Sequence, residues 1–267
     1  MNRILFEKSE IRDGVATFGG ARAEHVLNVL HGEVGQVLKT GEIDGKIGTG
    51  EIIEIGKTGI LPVSEKRTGE TPVLPNEIKV RCNHTEKSIS PWIDLILAPP
   101  RPRVMKRLMP QLASLGVGRI FLVGAKKVEK DFWGATLLKP ENYRPLLIDG
   151  LMQAGTSVLP TLETRRNFRK FVKEELDTLW PEARKIVAHP YVLPPPSATA
   201  YGQGSAGRRG GDGTVLAVGP EGGWTDDEVT LLEEHGFARY SLGSRILRTD
   251  TATVALLAQL MKEFGTC

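Results

Sequence analysis

The chain reads Leu216-Ala217-Val218-Gly219-Pro220-Glu221-Gly222-Gly223-Trp224-Thr225 and, about one helix later, Leu242-Gly243-Ser244-Arg245-Ile246-Leu247-Arg248-Thr249-Asp250-Thr251-Ala252. Each Gly-rich turn follows a short apolar run and opens an amphipathic pattern. A turn between a buried strand and a helix start presents free main-chain N–H groups, the place where α/β folds hold small ligands. Thr225 with Glu228 makes a capping-box pattern and Gly236 supplies the stop, so the first turn reads as strand, loop and helix. Gly222 and Gly223 are expected to take positive φ and to let a ligand approach the main chain. No Gly-Lys-Ser or Gly-Lys-Thr follows, which excludes a Walker loop, and the glycine spacing excludes the dinucleotide fingerprint.

Outward from these turns, compact apolar runs at 93–98, 120–124, 185–188, 215–218 and 238–242 alternate with helical patterns at 103–115, 141–154, 167–179, 225–235 and 250–264. This alternation predicts an α/β domain, a largely parallel sheet with helices on both faces. Pro110 predicts a kink or break in the first of these helices. The last helix is expected to bury Val254, Leu257, Met261 and Phe264. Before residue 73 the pattern is shorter and Gly-rich. Strands at 34–39, 47–55 and 59–63, with a helix at 21–30 carrying Val26, Val29 and Leu30 on one face, predict a small β-barrel domain over 1–72. Residues 64–77 read as a linker, 78–267 as the second domain, and the Pro-, Gly- and Ser-rich stretch 190–213 as an exposed, flexible insertion.

At 267 residues with a net charge of +3 and a pI near 8.8, the chain can bury a large core and tolerates, without demanding, a nucleic-acid partner. Basic residues cluster at Arg101, Arg103, Lys106 and Arg107, at Lys126, Lys127 and Lys130, and at Arg165, Arg166, Arg169 and Lys170. Any one cluster is explained by a solvated helix face. Cys82 and Cys267 form neither a metal pattern nor a disulfide framework. The N-terminus lacks an apolar core of signal-peptide type and no apolar stretch is long enough to cross a bilayer, so a soluble cytoplasmic protein without metal is expected. Arg245 and Arg248 stand just before a helix start, where the dipole disfavours cations. They call for an anionic partner, either a ligand or a local carboxylate such as Asp250 or Glu221.

The two quoted motifs, in this order and near the C-terminus, resemble those of the RsmE-type 16S ribosomal RNA uridine-N3 methyltransferases of the SPOUT class, whose pattern is Gly-Pro-Glu-Gly-Gly followed by Leu-Gly-x-Arg-Ile-Leu-Arg-x-Glu-Thr-Ala. Ala188-His189-Pro190 is similar to that family's strand-end His-Pro, Leu115-Gly116-Val117 to the end of its first long helix, and the N-terminal barrel to its PUA-like RNA-binding domain. The resemblance implies a trefoil-knotted α/β domain and a homodimer acting on small-subunit ribosomal RNA. It implies S-adenosylmethionine held by His189, Pro190, Gly219, Pro220, Glu221, Gly222, Gly223, Leu242, Gly243, Ile246, Leu247, Arg248 and Thr249. Arg248 and Asp250 become the candidate catalytic residues, and Arg101, Arg103, Lys106, Gln153 and Arg245 the candidate RNA contacts. Two segments depart from the family: Arg101-Pro102-Arg103-Val104-Met105 stands where it has Lys-Gly-Asp-Lys-Met, and Met152-Gln153-Ala154-Gly155-Thr156 where it has Glu-Gln-Ser-Gly-Arg. These departures keep two alternatives open, a SPOUT enzyme with another RNA target or position and a non-catalytic RNA-binding or ribosome-assembly protein.

Overall fold

The computed structural model describes residues 3–57, 76–190 and 213–263. The strand expected at 59–63, most of the expected linker, the insertion from 191 to 212 and Phe264 lie outside the described residues. The chain divides into two compact units, Met1–Ile89 with Gly155–Ser157, and Ser90–Ala154 with Val158–Cys267.

Among its described residues the first unit holds a six-stranded sheet, one α-helix and a short 3-10 helix at Lys8–Glu10. Its strands are β1 (Ile4–Phe6), β2 (Ile11–Arg12), β3 (Val15–Phe18), β4 (Val37–Glu42), β5 (Ile47–Lys57) and β6 (Asn76–Glu86), in the order β1-β4-β5-β6-β3-β2. Every pairing is antiparallel except β1 with β4. The β4–β5 hairpin turns at Asp44-Gly45, where Asp44 takes φ 58°, a conformation its short polar side chain tolerates. Register shifts in β5 and a close approach at Gly48, where a Cβ would lie 2.0 Å from the Asn83 carbonyl oxygen, let the long β5–β6 ribbon bend, consistent with a PUA-like barrel. Phe6, Phe18, Val26, Leu38, Ile52, Ile78 and Val80 fill its core.

Two expectations change here. The residues read as linker and as the start of the second domain include β6, which pairs with both β5 and β3 and sends Ile78 and Val80 inward. Helix α1 (Gly20–Asn28) ends before Val29, which is 59% exposed; Ala23 and Val26 are its buried residues.

Among its described residues the second unit is built on a six-stranded, wholly parallel sheet. Its strands are β7 (Ile93–Leu97), β8 (Val117–Val123), β9 (Thr161–Arg165), β10 (Arg184–Ala188), β11 (Thr214–Val218) and β12 (Ala238–Tyr240), in the order β12-β10-β11-β7-β8-β9. Its helices are α2 (Pro102–Ser114), α3 (Pro140–Ala154), α4 (Phe168–Glu174), α5 (Leu176–Leu179), α6 (Asp226–Glu234) and α7 (Thr249–Glu263). Alternate strand residues Ile96, Phe121, Val123, Val187, Val215 and Ala217 pack with α4, α5 and α6 residues such as Phe168, Phe171, Leu176, Val229 and Leu232. The opposite face is covered by α2, α3 and α7. The central strand β11 is buried along its whole length, as a parallel strand with helices on both sides must be.

Several local readings shift for packing reasons. α2 runs through Pro110 without a break, because Met105, Leu108, Met109, Leu112 and Ala113 are buried and the missing Pro110 N–H costs only one hydrogen bond. The main chain of α3 comes against it there: a Cβ on Gly150 would lie 2.1 Å from the Pro110 carbonyl oxygen. The pattern at 167–179 splits at Glu175, which accepts from the Arg165 guanidinium at 2.7 Å. In α7 the buried stripe is Thr253, Leu256, Leu257 and Leu260, with Val254 and Met261 half-buried. The charged edge strand β9 carries too little hydrophobic contrast, and β1 and β3 are too short, to be read from the sequence.

Candidate functional site

The parallel sheet brings the two quoted turns to one place. β10, β11 and β12 are neighbours, so their carboxyl ends deliver His189-Pro190, residues 219–223 and residues 241–248 side by side. Specific hydrogen bonds tie these segments together. The His189 N–H donates to the Tyr240 carbonyl oxygen (3.0 Å), Ser241 Oγ to the Pro190 oxygen (3.1 Å) and Thr249 Oγ1 to the Gly219 oxygen (3.3 Å). The Ala98 N–H donates to the Val218 oxygen at 2.9 Å and joins the end of β7 to the same edge.

The turn after β11 is rigid for identifiable reasons. Gly223 takes φ 70° and its N–H donates to the Pro220 oxygen at 2.8 Å. Gly223, rather than Gly222, is therefore the position that needs glycine for its dihedral angle. A Cβ on Gly222 would meet Lys127 Cδ at 3.0 Å, the far part of a flexible side chain whose Nζ donates to the Gly222 oxygen at 2.7 Å. Gly219 leaves room for Trp224, whose indole lies 3.1 Å from where a Cβ would stand. The expected capping box is present. Thr225 and Glu228 exchange hydrogen bonds, and the second Glu228 oxygen accepts the Lys126 N–H at 2.8 Å, fastening the segment after β8 to the start of α6.

Strand order explains why a crevice opens here. After β7 the chain moves towards β8, whereas after β11 it moves back across β10 to β12. Such a switch point leaves a gap outside the carboxyl ends of the two strands. The gap is a cleft of about 180 Å³ lined by Pro99, Pro100, Arg101, Lys127, Glu129, Phe132, Pro220, Glu221 and Gly222. Arg101 Nε donates to Glu129 at 2.9 Å and lies 3.8 Å from Glu221. The Glu129 hydrogen bond and the charges of both carboxylates raise the Arg101 pKa and keep it a cation. Pro99, Pro100, Glu129 and Phe132 were not singled out from the sequence, although a Pro-Pro pair immediately after the apolar run 93–98 was the available signal.

The candidate residues divide by their partners. Arg245 and Arg248 are exposed and pair with no carboxylate among the described residues, so the local ion pairs that could have explained them are not made. Glu221 faces Arg101, while Asp250 accepts from Arg107 at 3.4 Å and from the Thr251 N–H at 2.9 Å. The Arg107 contact sets the start of α7, and with it Arg248, against α2. Arg103 and Lys106 are exposed on α2 beyond the cleft. Gln153 stands apart. α3 runs back from the carboxyl edge of the sheet, so its last turn lies at the amino edge and the chain does not bring Gln153 to the turns.

The residues suit S-adenosylmethionine. The N–H groups of Glu221, Gly222, Ile246 and Leu247 make no hydrogen bond among the described residues. Leu242, Ile246 and Leu247 offer exposed apolar side chains beside them. Trp224 Nε1, buried against Gly219, is a donor without a partner among the described residues. Main-chain donors with apolar cover are what a nucleoside carrying an amino-acid tail requires. Among the described residues no group of three or more His, Cys, Asp or Glu is arranged to hold a metal, and no helix is long and apolar enough to cross a membrane.

Comparison with known proteins agrees with this geometry. The model of an RNA methyltransferase domain matches residues 86–261. The ribosomal RNA small subunit methyltransferase E of Treponema pallidum is 30% identical over 263 residues, spanning 98% of this chain and 91% of that protein. The first such enzyme of Borreliella burgdorferi is 26% identical, over 96% and 95%. Among solved structures, a protein of Legionella pneumophila in complex with S-adenosylmethionine superposes with a TM-score of 0.70 at 25% identity, covering 98% of this chain and 97% of that one.

Proposed function

Because the chain belongs to the RNA methyltransferase family, among the small-subunit ribosomal RNA methyltransferases E, we propose that it methylates N3 of a uridine in small-subunit ribosomal RNA. It is an S-adenosylmethionine-dependent ribosomal RNA methyltransferase. The observation that carries the finer reading is the pair of Gly-rich turns joined at the carboxyl ends of β10, β11 and β12, with the cleft opening beside one of them.

In this reading His189, Pro190, residues 219–223 and residues 242–249 hold the donor through main-chain groups and the exposed leucine and isoleucine side chains. When bound, S-adenosylmethionine supplies an electrophilic methyl group on a sulfonium. The chain's task is then positioning, since an in-line displacement needs alignment more than covalent help. The target base enters from the cleft, where Arg101 and Lys127 face it, and must be unpaired to expose N3. Losing the N3 proton spreads negative charge onto the flanking carbonyl oxygens. Arg248, cationic and free of a carboxylate, stabilises that charge, as preorganised donors do in oxyanion sites. Asp250 or Glu221 accepts the proton; Glu221 stands beside Arg101 and Asp250 beside Arg107. Arg103, Lys106 and Arg245 contact RNA phosphates.

The same reading assigns the first unit to RNA binding. It makes the chain a homodimer, which would bring Gln153 of one copy to the turns of the other and cover Leu242, Ile246 and Leu247. It threads the segment 241–249 as a trefoil knot, supported by the hydrogen bonds to Pro190 and Gly219. In this reading the protein works in the cytoplasm, beside its ribosomal substrate. The test is methyl transfer onto small ribosomal subunits lacking their N3-methyluridine, followed by nucleoside mass spectrometry. N3-methyluridine is expected; a methyl group on a ribose or on another base overturns the N3 assignment.

A further inference from the structure

We propose that Trp133, with Arg166 and Lys130, forms a stacking platform for an unpaired RNA base beside the cleft, so that the RNA strand continues from the cleft across the carboxyl ends of β8 and β9. The proposal rests on the ribosomal RNA substrate read above and adds a contact surface that neither Gly-rich turn predicts.

The geometry begins at Phe132, whose buried ring lines the cleft. The next residue, Trp133, stands edge-on to it, with ring centroids 5.5 Å apart and planes at 90°. Trp133 is only half-buried, although indole is the side chain with most to gain from burial. It is also held in place. Arg166 sits 5.8 Å over its ring and donates to its main-chain oxygen at 3.3 Å. A ring fixed from one side and left partly open presents a rigid π-face, which every nucleobase can use.

The basic cluster at 165–170 supports the same partner. Arg165 pairs with Glu163 and Glu175, Arg169 with Asp227, and Lys170 with Glu174. Arg166 pairs with no carboxylate among the described residues and goes to Trp133 instead. Its charge is not neutralised, so it can face a phosphate while packing on the indole. Lys126 and Lys130, in the segment between β8 and Trp133, are exposed and also lack carboxylate partners among the described residues. The main chain holds the two segments together: the Arg166 carbonyl comes so close to Gly124 that a Cβ there would lie 2.0 Å from its oxygen. An aromatic face among free cations, next to a cleft that takes one base, fits a single strand. A duplex keeps its bases inside the stack and offers Trp133 nothing to stack on.

The full-length protein is titrated with a short single-stranded oligouridine and with an RNA duplex of equal length, at several salt concentrations. Trp133→Ala is expected to weaken oligouridine binding roughly five- to hundredfold, with the salt dependence and duplex binding unchanged. Trp133→Phe restores most of the affinity. Arg166→Ala and Lys130→Ala each lower the salt slope by about one. Titration with S-adenosylmethionine, expected to be unaltered in every variant, separates loss of the platform from loss of the fold. Wild-type oligouridine affinity in Trp133→Ala overturns the proposal, as does an equal loss for single strand and duplex. The wider functional reading fails separately, if the unaltered protein transfers no methyl group to small ribosomal subunits.

Discussion

Glu228 offers the sharpest test of how the site is held. It lies in the first turn of α6 and is 5% exposed. Its carboxylate accepts the Lys126 N–H at 2.8 Å through one oxygen, and the Thr225 N–H at 2.9 Å and Thr225 hydroxyl at 3.0 Å through the other. Replacing it with alanine removes both acceptor oxygens and with them all three hydrogen bonds. The cap contributes about 1 kcal/mol. The Lys126 amide is left without a partner at a further cost of about 1–3 kcal/mol. Glu228→Ala should therefore destabilise the second unit by about 3 kcal/mol, a fall of roughly 6–12 °C in its unfolding midpoint for a unit of this size. Thr225→Ala should lose only the cap, about 1 kcal/mol. Glu228→Gln should fall between them, because one oxygen still serves Lys126 while an amide NH2 confronts the Thr225 N–H. Differential scanning calorimetry measures the midpoint, and hydrogen exchange at the Lys126 amide reports the local bond. A Glu228→Ala midpoint within about two degrees of the parent, with Lys126 still protected, would falsify the account of Glu228 as the fastening between the β8 segment and the turn.

Three other expectations follow from the described geometry. Arg248→Ala should slow single-turnover methyl transfer by about two orders of magnitude while leaving donor affinity and stability near the parent's, and Arg248→Lys should recover only part of the rate; a donor affinity that falls in step with the rate moves the charge-stabilising role to Arg245. Gly223→Val should weaken donor binding, because a β-branched residue at φ 70° costs at least about 1–2 kcal/mol and reshapes the turn, and calorimetric titration at the parent's affinity would refute this. Burial, reinforced by Arg3 and opposed by Glu42, lowers the His84 pKa, so the unfolded chain takes up the proton first. The stability this gives is present above about pH 6.5 and is lost as pH falls through the folded-state pKa. Urea titrations of the first unit should show that loss in the parent and a smaller one in His84→Gln; equal pH dependence would remove His84 as its source.

What the sequence determined by itself is the set of local elements whose signals are strong and short-range. The apolar runs at 93–98, 185–188 and 215–218 became β7, β10 and β11, since strands covered on both faces are continuously apolar. Thr225, Glu228 and Gly236 bounded α6 because capping chemistry is local. The two Gly-rich motifs marked the candidate site because a glycine turn before a helix leaves main-chain N–H groups free, and Arg245 and Arg248 stand where the helix dipole disfavours cations. Tertiary structure decided the rest. β6 joined the first sheet only because β3 and β5 were there to pair with it. α2 kept its course through Pro110 because a buried face outweighs one lost hydrogen bond. The cleft, and with it the roles of Glu129 and Phe132, arose from the strand order β12-β10-β11-β7-β8-β9. No periodicity encodes that order, since it depends on which strands, far apart in the chain, bury their faces together.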